Sequence, residues 1–169
     1  YVQFATGFKG GGVSPRPFIA AQAVPFNPEK LKSYEAGFKS DLFDRTLRVN
    51  GSVFFSKYTD LHLTLASCPQ FGAAPACAVV ANAGNAEMRG VELEGTLRPT
   101  RAWSMDASAS YLKFKYTFIN PAAGGPTRLT GPQFGMYPAY VPKLKFSLGT
   151  QYEFSLAGGS SLTARAALR

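Results

Sequence analysis

Few residues of this chain are equipped for chemistry: one histidine, His62, two cysteines, Cys68 and Cys77, and a close pair of carboxylates, Glu92 and Glu94. A hydrolytic triad needs a nucleophile, a base and an orienting group converging on one point. No Ser, Asp or Cys pattern accompanies His62 in that way. Glu92 and Glu94 stand two apart and so share one face of any strand they occupy. Paired glycosidase carboxylates could be arranged so, but two neighbouring acids on a polar strand face are the plainer reading. The cysteines lie nine positions apart in a stretch of small residues, with no ligand cluster to complete a zinc site. A disulfide is therefore expected, on a loop in an oxidising compartment; two reduced thiols are the alternative. Neither a metal site nor a cofactor is expected. Gly10-Gly11-Gly12 is followed by no Lys-Ser/Thr step and no helix-forming segment, so it is a loop rather than a phosphate cradle. Asn50-Gly51-Ser52 fits a glycosylation sequon but falls mid-strand, where it is incidental. The chain is not read as an enzyme.

The elements that carry these residues have a period of two. Over residues 47–60, Leu47, Val49, Gly51, Val53 and Phe55 alternate with Arg48, Asn50, Ser52, Ser56 and Asp60. Over residues 89–98, Val91, Leu93, Gly95 and Leu97 alternate with Gly90, Glu92, Glu94, Thr96 and Arg98. Similar strands are expected over residues 1–9, 31–42, 102–118 and 144–155, and from Leu162 onward. Long segments rich in Gly, Pro and Ala separate them at one end, over residues 10–28, 66–86 and 119–142, and short turns follow Asp41, Arg98 and Leu156. Each of the three long segments exceeds the ~2–5 residues of a hairpin loop. Long loops at one end and tight turns at the other are the pattern of a transmembrane β-barrel.

Charge placement agrees. Lys57, Arg89 and Lys113 fall on the apolar face, each about nine to eleven residues from the short-turn end, the length that spans the hydrocarbon. They are expected at the outer rim, where a charge is cheap. Trp103 and Phe154 near the short turns, and Phe55, Tyr111 and Phe146 near the long loops, are placed as two aromatic girdles. A water-soluble β-sandwich would also alternate, but it accounts for neither the rim charges nor the loop lengths. The formal charge of +8 on 169 residues comes from Lys and Arg spread singly, so no nucleic-acid partner is expected; anionic solutes or lipid headgroups suit it as well. No stretch of about eighteen apolar residues offers a transmembrane helix. About seven strands are too few, and an odd number, for a closed bacterial barrel, and open edges cannot face lipid. The fold class is therefore all-β, a transmembrane antiparallel barrel fragment belonging to a larger barrel.

Several segments are similar to a known family. Phe26-Asn27-Pro28-Glu29-Lys30-Leu31-Lys32-Ser33-Tyr34-Glu35-Ala36-Gly37-Phe38-Lys39-Ser40 resembles a barrel segment of TonB-dependent outer-membrane receptors. Asn50-Gly51-Ser52-Val53-Phe54-Phe55 with Tyr58-Thr59-Asp60-Leu61 resembles the following strand, and residues 82–94, with Gly90-Val91-Glu92-Leu93-Glu94, resemble a further signature. Val141-Pro142 and Phe146-Ser147-Leu148-Gly149 are similar to the strand beyond. The resemblance covers essentially the whole chain. It implies a barrel of about 22 strands closed by a plug, in the outer membrane of a Gram-negative bacterium. It also implies energy-coupled uptake of a scarce nutrient such as a ferric siderophore, haem, cobalamin or a saccharide. Outer-membrane lipid, the substrate, and TonB acting through the plug would be the partners. Residues 1–169 are then read as barrel alone, with the plug domain, its TonB box and the final strand absent. A passive outer-membrane channel and a secreted β-sandwich carbohydrate-binding module are the alternatives. Strand parity nominates Arg48, Asn50, Glu92, Glu94, Asp106, Lys145, Gln151 and Glu153 as lumen-facing contacts for substrate or plug.

Overall fold

A computed structural model describes residues 1–65, 68–72, 77–121, 137 and 141–169. Nine strands are present among them: β1 (Val2–Lys9), β2 (Gly12–Val13), β3 (Pro25–Phe26), β4 (Glu29–Leu42), β5 (Leu47–Leu65), β6 (Val79–Leu97), β7 (Trp103–Ile119), β8 (Leu144–Ser155) and β9 (Ser161–Leu168). Seven of them form one antiparallel sheet in the order β1-β4-β5-β6-β7-β8-β9, and β2 and β3 pair as a small separate hairpin. The helical elements among the described residues are single 3-10 turns of three residues. No helix among the described residues is long and apolar enough to cross a membrane, which has no bearing on crossing by strands.

Alternation becomes two faces because the register keeps like with like. Ala36, Val53, Val91, Tyr111 and Leu144 stand directly across from one another through five strands, and Gly51, Leu93, Ala109 and Phe146 do so one row nearer the short turns. Val53, Val91, Leu93 and Phe146 are nevertheless about half exposed, at 52%, 49%, 48% and 56%. A soluble sheet would cover such a strip with a second layer. Among the described residues nothing covers it.

The buried cluster lies elsewhere, at the long-loop end, where Leu65, Cys68, Val79 and Ala83 pack with Val24, Leu63, Phe71 and Ala81. This corrects one expectation. Residues 79–86, taken from composition as part of a long loop over 66–86, continue β6. Their Ala, Gly and Asn content has the look of a loop, but Val79, Ala81 and Ala83 alternate onto the cluster opposite Leu63 and Leu65. The β5–β6 hairpin thus rises as a paired extension, and the connection shrinks to residues 66–78. Most of the expected 119–142 loop lies outside the described residues; β7 runs through Ile119 before it.

Close packing between strands depends on small residues at particular rows. A Cβ on Gly90 would stand 2.6 Å from the Tyr111 carbonyl oxygen and 2.6 Å from the Phe54 ring, whereas one on Gly95 meets nothing nearer than 3.8 Å. The carbonyl belongs to the β7 backbone and cannot rotate away. Gly90→Val is therefore expected to cost about 1–3 kcal/mol, the usual range for overpacking, while Gly95→Val stays close to neutral. Urea unfolding of the full-length protein in lipid checks this; equal effects at the two sites would refute it.

Candidate functional site

The polar face of the sheet begins with residues that cannot face hydrocarbon. In the register, Ser52, Glu92, Ser110 and Lys145 form one row across β5 to β8. Asn50, Glu94, Ser108 and Ser147 form the next, and Arg48, Thr96, Asp106 and Gly149 the third. Gln151 pairs with Ser104 and Arg165, and Glu153 with Thr163. The strand-borne candidates thus all stand on one face. Serine hydroxyls stitch the rows, with Ser108 and Ser147 Oγ atoms 2.8 Å apart and Ser33 and Ser56 likewise 2.8 Å apart.

These candidates are not equally free. Arg48 is engaged by Asp41, its Nε donating to Oδ1 at 2.6 Å and its Nη2 to Oδ2 at 3.0 Å, a bidentate geometry. Asp106 sits 3.8 Å from Arg165 Nη2. Glu92 and Glu94 have no hydrogen-bond or ion-pair partner among the described residues. With Tyr1, Glu35, Asn50 and Ser52 they line a shallow recess of about 210 Å³. The Tyr1 hydroxyl donates to Glu35 Oε1 at 2.5 Å, leaving the recess with three carboxylates and one lysine, Lys39. Such a surface suits a cationic or hydrogen-bond-donating partner. Among the described residues no cluster of His, Cys, Asp and Glu could hold a metal ion.

At the long-loop end a polar clamp fixes the loop of residues 10–28 onto the β5–β6 extension. Asn82 Oδ1 accepts from the Asn27 amide at 2.7 Å, and Asn82 Nδ2 donates to the carbonyl oxygens of Asn27 and Asp60, both at 2.8 Å. Asn85 Oδ1 accepts from the Asp60 amide at 3.0 Å. Asp60 has a φ of 60°, the left-handed region, at a register shift of β5 against β6. The two asparagines satisfy the backbone that this bulge unpairs. His62 joins the clamp, its Nε2 2.8 Å from the Asn27 carbonyl oxygen and its ring edge-on to Phe26 at 4.7 Å. It is a polar residue of β5 close to the long-loop end. Asn27, Asn82 and Asn85 stand in segments that carry the family resemblance, but the sequence gives them no role of their own; the asparagines spaced along residues 79–86 are the available signal, hidden by the loop-like composition.

Cys68 and Cys77 are bridged, with Cα atoms 5.9 Å apart. The bridge closes a loop of about ten residues, for which chain entropy predicts stabilisation of ~3 kcal/mol or less, felt locally by the extension. Cys68→Ser with Cys77→Ser is expected to speed protease cleavage within residues 66–78 several-fold and to leave the membrane-embedded strands protected. Cleavage at an unchanged rate would contradict that reading.

Residues 1–167 match the family described as "TonB dependent receptor-like, beta-barrel". The pesticin receptors of Yersinia enterocolitica and Yersinia pestis are each 27% identical to the chain over 160 residues, an alignment that takes in 88% of the chain and 22% of the receptor. Among solved structures, the ferric yersiniabactin uptake receptor FyuA of Yersinia pestis superposes with a TM-score of 0.73 at 22% identity, over 98% of this chain and 22% of that one. The alcaligin outer-membrane receptor FauA of Bordetella pertussis gives 0.54 at 19% identity, over 97% and 25%. The chain spans about a fifth to a quarter of the length of these relatives.

Proposed function

The chain belongs to the TonB-dependent receptor β-barrel family, receptors of the Gram-negative outer membrane rather than enzymes, and on that premise we propose that it forms one wall of a receptor for energy-coupled uptake of a ferric siderophore. The single observation that carries the reading is the two-faced sheet. One face presents half-exposed apolar side chains row upon row, as lipid contact requires. The other presents Asn50, Glu92, Glu94, Asp106, Lys145, Gln151 and Glu153, with Arg48 held by Asp41. On this reading the polar face lines the lumen and contacts substrate and plug, and the plug, which engages TonB, comes from another part of the protein, as does the strand that closes the barrel. The family membership, together with a structural neighbour named for ferric yersiniabactin uptake, supports a ferric siderophore over haem, cobalamin or a saccharide.

The test is uptake. Cells relying on the full-length protein under iron limitation should take up radiolabelled ferric siderophore, and should lose that uptake when TonB is removed. Uptake that persists without TonB would replace this reading with the passive channel.

A further inference from the structure

The short-turn end of the polar face gathers arginines. The register sets Arg48 opposite Thr96 and Leu47 opposite Leu97, and the Arg98 amide carries the pairing into the turns by donating to the Thr46 carbonyl oxygen at 2.7 Å. The turn after β4 and the turn after β6 are thereby tied side by side, with Arg45 next to Arg98. Together with Arg48 and Thr96 these two line a recess of about 220 Å³, its wall carrying three guanidinium groups and, among the described residues, no carboxylate. Arg45 and Arg98 also border a wider recess of about 570 Å³ that continues past Arg101 to Gln151 and Glu153.

Folding alone does not account for this grouping. Arg48 is held by Asp41, but among the described residues none of Arg45, Arg98 and Arg101 belongs to an ion pair, and all three are exposed. Guanidinium groups sharing one wall repel each other. The turn also holds Arg45 at a φ of 66°, after Phe43 and Asp44 at 52° each. A side chain in that left-handed region costs energy, and turn chemistry favours glycine or asparagine there. Backbone outliers of this kind cluster where a particular side chain is used.

Place and chemistry identify the partner. Short turns of an outer-membrane barrel face the periplasm, and Arg48, Thr96 and Arg98 have the parity of the polar face, away from lipid. The planar fork of arginine matches a carboxylate. One exposed ion pair is weak and screened by salt, so a lone carboxylate is poorly retained, whereas several carried on one chain act together. The arginines are spread over two neighbouring turns, and an extended chain rising about 3.3 Å per residue can set successive acidic residues against them. Asp44 and Glu153, on the wall of the wider recess, call for a hydrogen-bond donor on the partner at that side. We propose that Arg45, Arg98 and Arg101, backed by Arg48, form a docking site for an acidic peptide segment of a periplasmic protein. The proposal rests on the outer-membrane reading of the sheet and not on the identity of the transported nutrient.

The full-length protein, purified in a neutral detergent, tests it with labelled pentaglutamate, labelled pentaglutamine and free glutarate at physiological ionic strength. The wild type should bind pentaglutamate at least tenfold more tightly than pentaglutamine. Arg45→Asn with Arg98→Gln should erase that preference, and asparagine suits the left-handed turn, so the loss would not come from a strained backbone. Lys57→Gln with Lys113→Gln removes the same charge at the long-loop end and should leave the preference intact. If the arginine double variant does not assemble, as judged by heat-modifiable migration on gels, Arg45→Asn and Arg98→Gln singly should each weaken binding about threefold. Equal binding of the two peptides, equal losses in the arginine and lysine variants, or glutarate bound as tightly as pentaglutamate would each overturn the site. Failure of ferric-siderophore uptake alongside intact peptide binding would overturn the uptake reading and leave this one standing.

Discussion

Leu93→Arg should prevent assembly of the full-length protein into lipid, while Glu94→Arg, one residue along, should leave assembly intact. Leu93 is about half exposed on the apolar face, opposite Gly51 and Ala109. It lies four residues from Arg89 at the outward margin and four from Leu97 beside the short turn, near the middle of the span. An arginine at the midplane of an outer-membrane barrel costs about 2–4 kcal/mol, falling to about 0–1 kcal/mol near the interfaces. The chain's own cations obey that gradient, since Lys57, Arg89 and Lys113 sit at the margin. Losing the leucine's contacts with its neighbours adds to the cost. Glu94 points to the polar face beside Asn50 and Ser108, where a long cation is solvated. The readout is the folded fraction after refolding into vesicles, followed across a urea series. Comparable losses for the two variants would mean that the faces are not chemically distinct environments, and the assignment of one to lipid would fall.

The same register explains what sequence alone could and could not supply. The faces were legible because a period of two survives wherever one side meets lipid and the other water: Val91 to Leu97 alternate without a break, and Leu47 to Phe55 do so with Phe54 as the one apolar side chain on the polar face. Pairing across a short turn was legible too. The turn at Phe43, Asp44, Arg45 and Thr46 has a closing bond from the Thr46 amide to the Phe43 carbonyl oxygen at 2.9 Å, and it sets Leu42 opposite Leu47 and therefore Asp41 opposite Arg48. Arg48 could thus have been recognised as an engaged residue. Pairing across residues 66–78 could not be read, because a connection of that length fixes no register between the strands it joins. The row that sets Asn50 beside Glu94, and the one that sets Lys57 beside Glu87, emerge only from the fold. The clamp of Asn27, Asn82 and Asn85 was hidden for a different reason. Its partners are backbone groups of Asn27 in a loop and of Asp60 at a bulge, and an unpaired amide leaves no trace in a residue string.

Glu92→Lys combined with Glu94→Lys should abolish ferric-siderophore uptake, by at least tenfold, while changing barrel stability by no more than ~1 kcal/mol. The two carboxylates occupy adjacent rows of the polar face, flanked by Ser52, Ser110, Asn50 and Ser108. Neither belongs to an ion pair among the described residues, so little of the described fold depends on their sign. With Glu35 they give the recess its negative character, and exposed carboxylates of this kind contribute most when a docked cationic group is set against them and water is excluded. A plug or substrate group docked there would be repelled by two lysines, and a charge reversal of this kind acts on recognition more strongly than on folding. Glu92→Gln with Glu94→Gln should lie between, since amides keep hydrogen-bonding capacity and lose the charge. Uptake of radiolabelled ferric siderophore, normalised to folded barrel, distinguishes the outcomes. If both double variants transport as the wild type does, the acidic recess is bystander surface, and the search for contacts moves to the paired residues Arg48, Asp106 and Arg165. If the lysine variant alone fails, the recess acts through charge. That result would point to a cation on the element it meets and make a complementary reversal on that element the natural rescue.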